Sequence, residues 1–435
     1  MGKRLSFGDL RGVLADAFGK LPDARRGANR QYTMADAAWA AFSVFFMQSP
    51  SFLAHQRDMQ RHQGVNNAQT LFGVTDIPTD PQIRNLLDPV DPAALREPFW
   101  GMLERALGDG EVAARFGGER GWLVSLDGTQ YFGSHTIHCP QCSRTEREEG
   151  TLYTHTALVP VLGSRTGGEV LALEPEFITP QDGVEKQDCE LRAAERWVRR
   201  NGGRLASRPT TVLGDDLYCH QPFCELLLAQ GLDFILTCKP SSHPTLYEEV
   251  GLLDKMGAVG EGEERHWTGR HYETWRYRYA ERVPLREPPR QLYVNWCELT
   301  VQREGSGEVL YHNAWATNRP LSAETVAGVA ADGRRRWQVE NEGYNVLKQH
   351  GYHLEHNFGH GQAHLAAVLV MLILLAFLWH TILGVVDAGY RRVREELGAR
   401  RTFFEDLRAL TRYLVFPDWE TLLGFMSKGL DLVPG

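Results

Sequence analysis

The sequence predicts an α/β protein with a mixed sheet and helices on its faces. Three observations support this fold class. Residues 1 to 115 have apolar patterns typical of helices, residues 120 to 240 alternate between strand and helix patterns, and residues 245 to 318 alternate aromatic and β-branched residues between Pro and Gly. The chain of 435 residues is too long for one compact core and fits two or three domains.

Each element follows from a local pattern. Residues 34–48 form an apolar helix that ends before Pro50, and 91–107 is an amphipathic helix that begins at Asp–Pro. Strands are predicted at 121–132, 151–163, 168–178, 208–218 and 234–240, with helices at 189–200 and 221–231, which gives the order β-β-β-α-β-α-β. An all-β insertion follows at 245–318, and then helices at 321–332, 334–349 and 365–386 with an Arg-rich helical tail.

These elements divide the chain into five parts: a helical region at 1–115, the first part of an α/β core at 116–244, the β-rich insertion at 245–318, the second part of the core at 319–390, and the tail at 391–435. The uncharged run 365–379 is shorter than the ~20 residues of a membrane span. We therefore expect a helix buried on all sides, with a single membrane anchor as the alternative.

Composition limits the classes of function. The net charge of −8 counts mildly against a nucleic-acid binder, although local patches rather than totals attract polyanions. The seven cysteines are scattered, with Cys139 and Cys142 the one close pair. This pattern indicates a reduced cytosolic protein and not a disulfide framework.

Three acids are candidates for a metal site. Asp127 and Asp215 each follow a predicted strand, where open α/β sheets place their binding sites, and Glu340 lies on the 334–349 helix. Carboxylate oxygens select Mg²⁺ or Mn²⁺, and three acids suit two such ions. Taken singly, Asp127 fits a turn residue, Asp215 or Asp216 a helix cap, and Glu340 a surface ion pair.

The chain resembles a DDE transposase of bacterial insertion sequences, from the group whose last acid lies in a Y-x2-R-x3-E-x6-K motif. Arg336, Glu340 and Lys348 match this motif, but Gly333 occupies the tyrosine position and seven residues separate the last two matches. The DGT at 127–129 resembles the first acid of the family. GDDLY resembles the second and favours Asp215 over Asp216, while KQDCE at 186–190 and GYHLEHNFGHG at 351–361 are also similar.

The resemblance implies an RNase H-like core with a β insertion before the last catalytic helix. It implies that Asp127, Asp215 and Glu340 bind two Mg²⁺ or Mn²⁺ ions and catalyse phosphodiester hydrolysis and strand transfer, by cut-and-paste, at the inverted repeats of the protein's own insertion sequence. The expected partners are double-stranded DNA, both terminal repeats and target, and a second copy of the chain in a synaptic homodimer. No membrane is expected, and the location is cytoplasmic, associated with the bacterial nucleoid.

Further residues are expected to bind DNA. Arg336 and Lys348 would hold phosphates, and residues 1–115 would bind the DNA end. Trp315 would stack on a flipped base, with core packing as the alternative. Other functions remain open: an RNase H-like nuclease without strand transfer, a non-catalytic DNA-binding derivative of a transposase, or a membrane-anchored protein.

A second metal site is a weaker prediction. Cys139-x2-Cys142 is half of a zinc site, and His155 with His138 or His135 would complete it; free thiols on a loop are the alternative. A run of histidines follows the predicted catalytic helix: His350, His353, His356, His360 and His364. These are expected to line a DNA-end groove as neutral side chains or to be ordinary helix and turn residues.

Overall fold

The computed structural model describes residues 5–26, 30–180 and 188–432. The N-terminal region is helical. Its helices are α1 (Phe7–Phe18), α2 (Met34–Phe46), α3 (Phe52–Gln60), α4 (Gly64–Phe72), α5 (Asp80–Leu87), α6 (Glu97–Leu107) and α7 (Gly110–Phe116). Reciprocal capping boxes, Ser6 with Asp9 and Thr33 with Asp36, begin α1 and α2 by satisfying free N–H groups of the first turn.

Three predicted strands each divide into two. The segments are β1 (Trp122–Ser125) and β2 (Gly128–Ser134), β4 (Gly150–Leu158) and β5 (Val161–Gly163), and β6 (Val170–Ala172) and β7 (Glu176–Ile178), with β3 (Ser143–Arg147) in the intervening loop. Prolines lie at two of the divisions, Pro160 and Pro175, where the missing N–H interrupts a ladder. Strands β2, β3, β4 and β7 form a second sheet with the order β2-β4-β3 and β7 beside β4, while β1, β5 and β6 belong to the main sheet. The predictions of single strands at 121–132, 151–163 and 168–178 are therefore wrong, because the chain crosses from one sheet to the other within each of them.

The main sheet contains β1, β5 and β6 together with β8 (Thr210–Gly214) and β9 (Asp233–Thr237). Its order here is β6-β5-β1-β8-β9. β1 pairs parallel with β8, and β8 pairs parallel with β9, while β5 and β6 are antiparallel. Helices α8 (Glu190–Leu205) and α9 (Gln221–Ala229) connect the parallel strands. The mixed α/β sheet predicted from the sequence is confirmed.

The segment predicted to be all-β begins with a helix instead. Helix α10 (Pro244–Lys255) starts with proline at its first position, where no N–H partner is needed. Four strands follow: β10 (Gly260–Trp267), β11 (Tyr272–Pro284), β12 (Tyr293–Arg303) and β13 (Val309–Thr317). Because β13 pairs antiparallel with β9, these strands extend the main sheet to nine strands.

The second half of the core is helical, and the predicted helix 334–349 is interrupted. The elements are α11 (Val326–Arg334), a π-helical segment (Val339–Tyr344), α12 (Asn345–Gln349), α13 (Leu365–Val386), α14 (Ala388–Leu397), α15 (Arg400–Tyr413) and α16 (Trp419–Gly429). A turn at 335–336 lies between α11 and the π-helical segment. Glu340 therefore lies on a π-helical turn, a form that is frequent at functional sites.

Helix α13 is the central core helix. Among the described residues it is the one helix long and apolar enough to cross a membrane, but 89% of its most apolar window is buried inside the fold. It packs against α2, α6, α7 and β6. Asp88 of the N-terminal region caps it, with Oδ1 accepting from the N–H groups of Ala363 (3.0 Å) and Leu365 (3.0 Å).

Candidate active site

Asp127 lies at the point where the chain leaves the main sheet. It follows β1 and precedes β2, and its side chain is half-buried. Its Oδ1 accepts from the N–H of Gly128 at 3.1 Å. Its carbonyl oxygen accepts from the Val159 N–H at 3.0 Å and from the Tyr344 hydroxyl at 2.6 Å. The backbone of this acid is therefore held both by the connection between β4 and β5 and by the π-helical segment.

Two aspartates follow β8 and have different contacts. Asp215 accepts from the N–H of Leu217 at 2.9 Å, which is a local turn contact. Asp216 accepts from the N–H of Lys239 at 2.7 Å and lies 3.3 Å from Nε2 of His243. Asp216 therefore connects β8 to the β9–α10 turn, while Asp215 keeps one carboxylate oxygen without a protein partner among the hydrogen bonds of the described residues.

Glu190 is an acid that the sequence interpretation missed. It is the first residue of α8, and its Oε1 accepts from the Tyr218 hydroxyl at 2.5 Å. A Cβ added to Gly128 would collide with Glu190 Oε2, so the glycine after Asp127 leaves room for this carboxylate. The KQDCE similarity was a signal, although Lys186 and Gln187 themselves lie outside the described residues.

Electrostatics link these acids. Burial is the largest cause that raises the pKa of Asp127, to about 7. The negative charges of Glu190, Glu340 and Asp215 add to this effect, and the positive charge of Arg336 opposes it. Burial, together with the Asp215 charge, also raises the pKa of Glu190 despite its bond from Tyr218. Carboxylates that raise one another's pKa in this way are stabilised by a bound cation.

The charge of Glu340 acts on Asp127 from the π-helical segment. Oε1 of Glu340 lies 2.7 Å from an Nη atom of Arg336, and the Glu340 side chain is 50% exposed. Burial disfavours the charge of Arg336, but the hydrogen bond that it donates to Glu340 and the charges of Glu340, Asp127 and Asp215 raise its pKa. Arg336 therefore offsets part of the negative charge of the acidic group, which consists of Asp127, Asp215 and Glu340. Glu342, the alternative acid, lies against Gly168 instead.

The segment that carries Glu340 is anchored to the main sheet. Gln338 is buried, and its side-chain amide donates to the carbonyl oxygens of Ser164 (3.1 Å) and Gly167 (2.9 Å) in the β5–β6 turn. Arg335 donates to the same Ser164 carbonyl at 2.8 Å. These bonds fix the π-helical turn relative to β1 and its neighbour β5.

The predicted DNA-binding residues have different surroundings. Lys348 is paired with Glu355 at 2.7 Å. Trp315 is 1% exposed in a core formed with α11, and Gly333 leaves space for it, since an added Cβ would lie 2.8 Å from the indole. Trp315 therefore packs in the core and offers no face to a base. Trp337, beside Arg336, is 44% exposed.

The predicted zinc ligands need one correction. Cys139, Cys142 and His155 come together, but the fourth member of the group is His360. His138 is exposed and stacks on Tyr153, while His135 contacts the Thr151 carbonyl. The fourth ligand, His360, belongs to the histidine run after the predicted catalytic helix. It lies 205 residues from His155 in sequence, too far for a motif spacing to connect the two.

The family model described as "Transposase DDE domain" matches residues 190–378. The matched region begins at Glu190 and contains Asp215, Arg336 and Glu340, while Asp127 precedes it. No curated protein sequence matches the chain. The family match supports a DDE transposase with nuclease or transposase activity, a class that acts on DNA and uses divalent metal ions.

Proposed function

We propose that this chain is a DNA transposase that hydrolyses phosphodiester bonds at the inverted repeats of its own insertion sequence and transfers the cleaved strand to target DNA. The proposal includes the finer assignment to the cut-and-paste group with the Arg-x3-Glu motif. The observation that carries it is the position of Asp127 and Asp215 after two neighbouring parallel strands, together with the charges of both acids and of Glu340 that act on Arg336.

The acidic group suits divalent cations. Asp127 keeps a proton up to about pH 7 because burial and the neighbouring negative charges oppose its ionisation. A bound cation would favour the ionised carboxylate. Asp127, Asp215 and Glu340 would hold Mg²⁺ or Mn²⁺, with Glu190 close behind Gly128. When bound, such ions lower the pKa of water or a hydroxyl and stabilise charge on the phosphate oxygens.

The reaction has two displacements. In the first, a water oxygen bonds to phosphorus at the end of the element, the bond from phosphorus to the 3′ oxygen breaks, and that oxygen takes up a proton as a 3′-hydroxyl. In the second, this hydroxyl loses its proton and bonds to a target phosphorus, while the target's own 3′ oxygen leaves and is protonated. Neither step needs a redox partner. The first replaces a phosphoester bond with a bond between phosphorus and the water oxygen, and the second replaces one phosphoester bond with another.

The residues around the acids would bind and orient the DNA. The Arg336 guanidinium, now paired with Glu340, is positioned to donate to a phosphate oxygen beside the acids. Lys348 lies on α12, directly after the π-helical segment, and would hold a neighbouring phosphate. Tyr344 and Gln338 are positioning residues. Tyr344 would hold the backbone of Asp127, and Gln338 would hold the segment that carries Glu340.

The remaining parts of the proposal concern assembly. The helical region 1–115 is the candidate for reading the terminal repeats. A homodimer would hold both ends of the element in one synaptic complex. The location would be the bacterial cytoplasm, in association with the nucleoid.

The proposal is tested with the full chain, DNA that carries its flanking inverted repeat, and Mg²⁺. Products are mapped at nucleotide resolution. A nick that exposes a 3′-hydroxyl at the repeat boundary, followed by joining to a target, is expected. Nicking without joining would favour an RNase H-like nuclease, and repeat binding without nicking would favour a non-catalytic derivative.

A further inference from the structure

Four cysteine and histidine side chains come together away from Asp127, Asp215 and Glu340. They are Cys139 and Cys142 in the loop between β2 and β3, His155 on β4, and His360 in the loop before α13. All four are buried. Their ligand atoms lie within 4.8 Å of one another, the one such group of His, Cys, Asp and Glu found over residues 5–26, 30–180 and 188–432.

The distances between these atoms match the edges of a tetrahedron. The two sulfur atoms are 3.9 Å apart, and Nε2 of His155 lies 3.5 Å from Cys139 Sγ and 3.4 Å from Cys142 Sγ. Nε2 of His360 lies 3.5 Å from Cys142 Sγ and 3.1 Å from Nε2 of His155. Zinc–ligand bonds of ~2.3 Å to sulfur and ~2.05 Å to nitrogen give edges of about 3.8 Å, 3.6 Å and 3.3 Å for sulfur–sulfur, sulfur–nitrogen and nitrogen–nitrogen pairs.

Hydrogen bonds and ring contacts orient the two histidines and the two cysteines. Nδ1 of His360 lies 3.0 Å from the Gly361 carbonyl oxygen, a contact that places its proton on Nδ1 and leaves Nε2 free to bind metal. Tyr131 stacks on the His155 ring at 5.5 Å and 8°, and Phe132 lies 4.5 Å from the His360 ring. The N–H of Cys139 donates to Cys142 Sγ at 3.4 Å. Both imidazoles are thus held with Nε2 toward the two sulfurs.

We propose that Cys139, Cys142, His155 and His360 form a structural Zn²⁺ site. Two thiolates and two imidazoles at tetrahedral positions are a donor set that selects zinc, and four protein ligands leave no open position for catalysis. The site is separate from the acidic group, whose oxygen ligands select Mg²⁺ or Mn²⁺. The proposal does not depend on the transposase function.

The site joins two distant parts of the chain beside the candidate active site. β2 begins at Gly128, next to Asp127, and pairs with β4 so that Phe132 lies opposite His155. His360 belongs to the loop between the Glu340 segment and α13. Zinc would therefore fix the sheet that begins at Asp127 to the loop that follows Glu340. Because these distant ligands come together only in the folded chain, zinc binding would stabilise the fold.

The test measures metal content in the full chain purified without added metal or chelator. About one zinc per chain is expected, and Co²⁺ exchanged into the same site should give the visible absorption bands of a tetrahedral Cys₂His₂ centre. Cys142→Ser and His360→Ala should lose the zinc, and chelation should lower the melting temperature of the wild type.

His138→Ala is the matched control, because His138 lies one residue from Cys139 but outside the group. It should keep the zinc, and so should Asp127→Asn. If a variant fails to fold, the wild-type stoichiometry and cobalt spectrum still decide the question. Wild-type protein with no zinc and no cobalt spectrum would overturn the proposal. A Cys139–Cys142 disulfide in freshly purified protein, or zinc lost by His138→Ala but kept by His360→Ala, would do so as well.

Discussion

The hydroxyl of Tyr344 donates a 2.6 Å hydrogen bond to the carbonyl oxygen of Asp127. Tyr344 ends the π-helical segment that contains Glu340, so this bond joins the first and last acids of the candidate site across 217 residues of sequence. The bond therefore holds the backbone of Asp127 against the segment that carries Glu340.

Removal of this bond should reduce catalysis more than stability. Tyr344→Phe keeps the packing of the ring but leaves the Asp127 carbonyl with its bond from Val159, so the cost in unfolding free energy should be about 1 kcal/mol. Nicking should fall by roughly 10- to 100-fold as the acids shift. Tyr352→Phe is the control, since that buried tyrosine bonds His380 away from the acids. Equal nicking by the two variants would remove Tyr344 from its positioning role.

Neutral versions of the three acids should separate binding from chemistry. Asp127→Asn, Asp215→Asn and Glu340→Gln remove charges that divalent cations need, so nicking of inverted-repeat DNA should fall by several orders of magnitude. Folding and repeat binding, measured by circular dichroism and fluorescence anisotropy, should remain. Asp216→Asn should stay near the wild-type rate because its asparagine oxygen can still accept from Lys239. A fully active Asp127→Asn would end the transposase proposal.

The protonation of Asp127 should make stability depend on pH in a known direction. Folded Asp127 holds its proton up to about pH 7, while the unfolded residue loses it near its ordinary value of 3.8. The folded state binds more protons in this window, so its contribution to stability falls as pH rises from 3.8 to about 7 and then levels off. Metal-free Asp127→Asn should therefore gain on the order of 4 kcal/mol over wild type above that window and little at its acidic end, as measured by urea unfolding. A difference that does not change with pH would contradict this assignment.

Glu190 should control the charge of Asp127. Glu190→Gln removes the largest electrostatic contribution to the raised pKa of Asp127, so the pH midpoint of Mn²⁺ binding should move downward. Isothermal titration calorimetry over a pH series measures this shift. Glu195→Gln, on the same helix but paired with Arg192, is the matched control and should leave the midpoint in place. An upward shift for Glu190→Gln would mean that Glu190 is itself needed to bind the metal.

Lys348 should contribute one phosphate contact. Lys348→Ala should weaken repeat binding and reduce the slope of log affinity against log salt by about 0.9. Glu355→Gln should strengthen binding, because it frees Lys348 from its 2.7 Å ion pair. Anisotropy titrations at several salt concentrations measure both effects. An unchanged slope for Lys348→Ala would place this residue outside the DNA interface.

Local patterns predicted the element types well but not the contacts between distant segments. Asp127 and Asp215 could be placed at strand ends because Asp–Gly and Gly–Asp turns follow short apolar runs. Glu190, Tyr344 and His360 reach their partners only after the chain folds across many residues, and no spacing rule detects such contacts. Trp315 was ambiguous because a strand residue has the same pattern whether it faces a core or a groove.

The π-helical turn had no sequence signature either. A continuous helix from 334 to 349 is the simplest interpretation of RRRWQVENEGYNVLKQ, and the bonds of Gln338 and Arg335 to the β5–β6 turn that accompany the break are tertiary. The division of 121–132 into two strands has a similar origin. Its residues favour one extended segment, but β1 and β2 pair with different sheets.

The Asp88 cap on α13 has a consequence for how such a protein can evolve. The N-terminal helices supply both the cap and the α2 surface against which α13 packs, and α13 in turn supports β6 of the main sheet. Under the proposed function these helices also read the DNA ends. They cannot be exchanged as a module, because their removal would expose α13 to water. A new DNA-end specificity would therefore have to arise by substitution on the outer surface of these helices and not by recombination with a foreign binding domain.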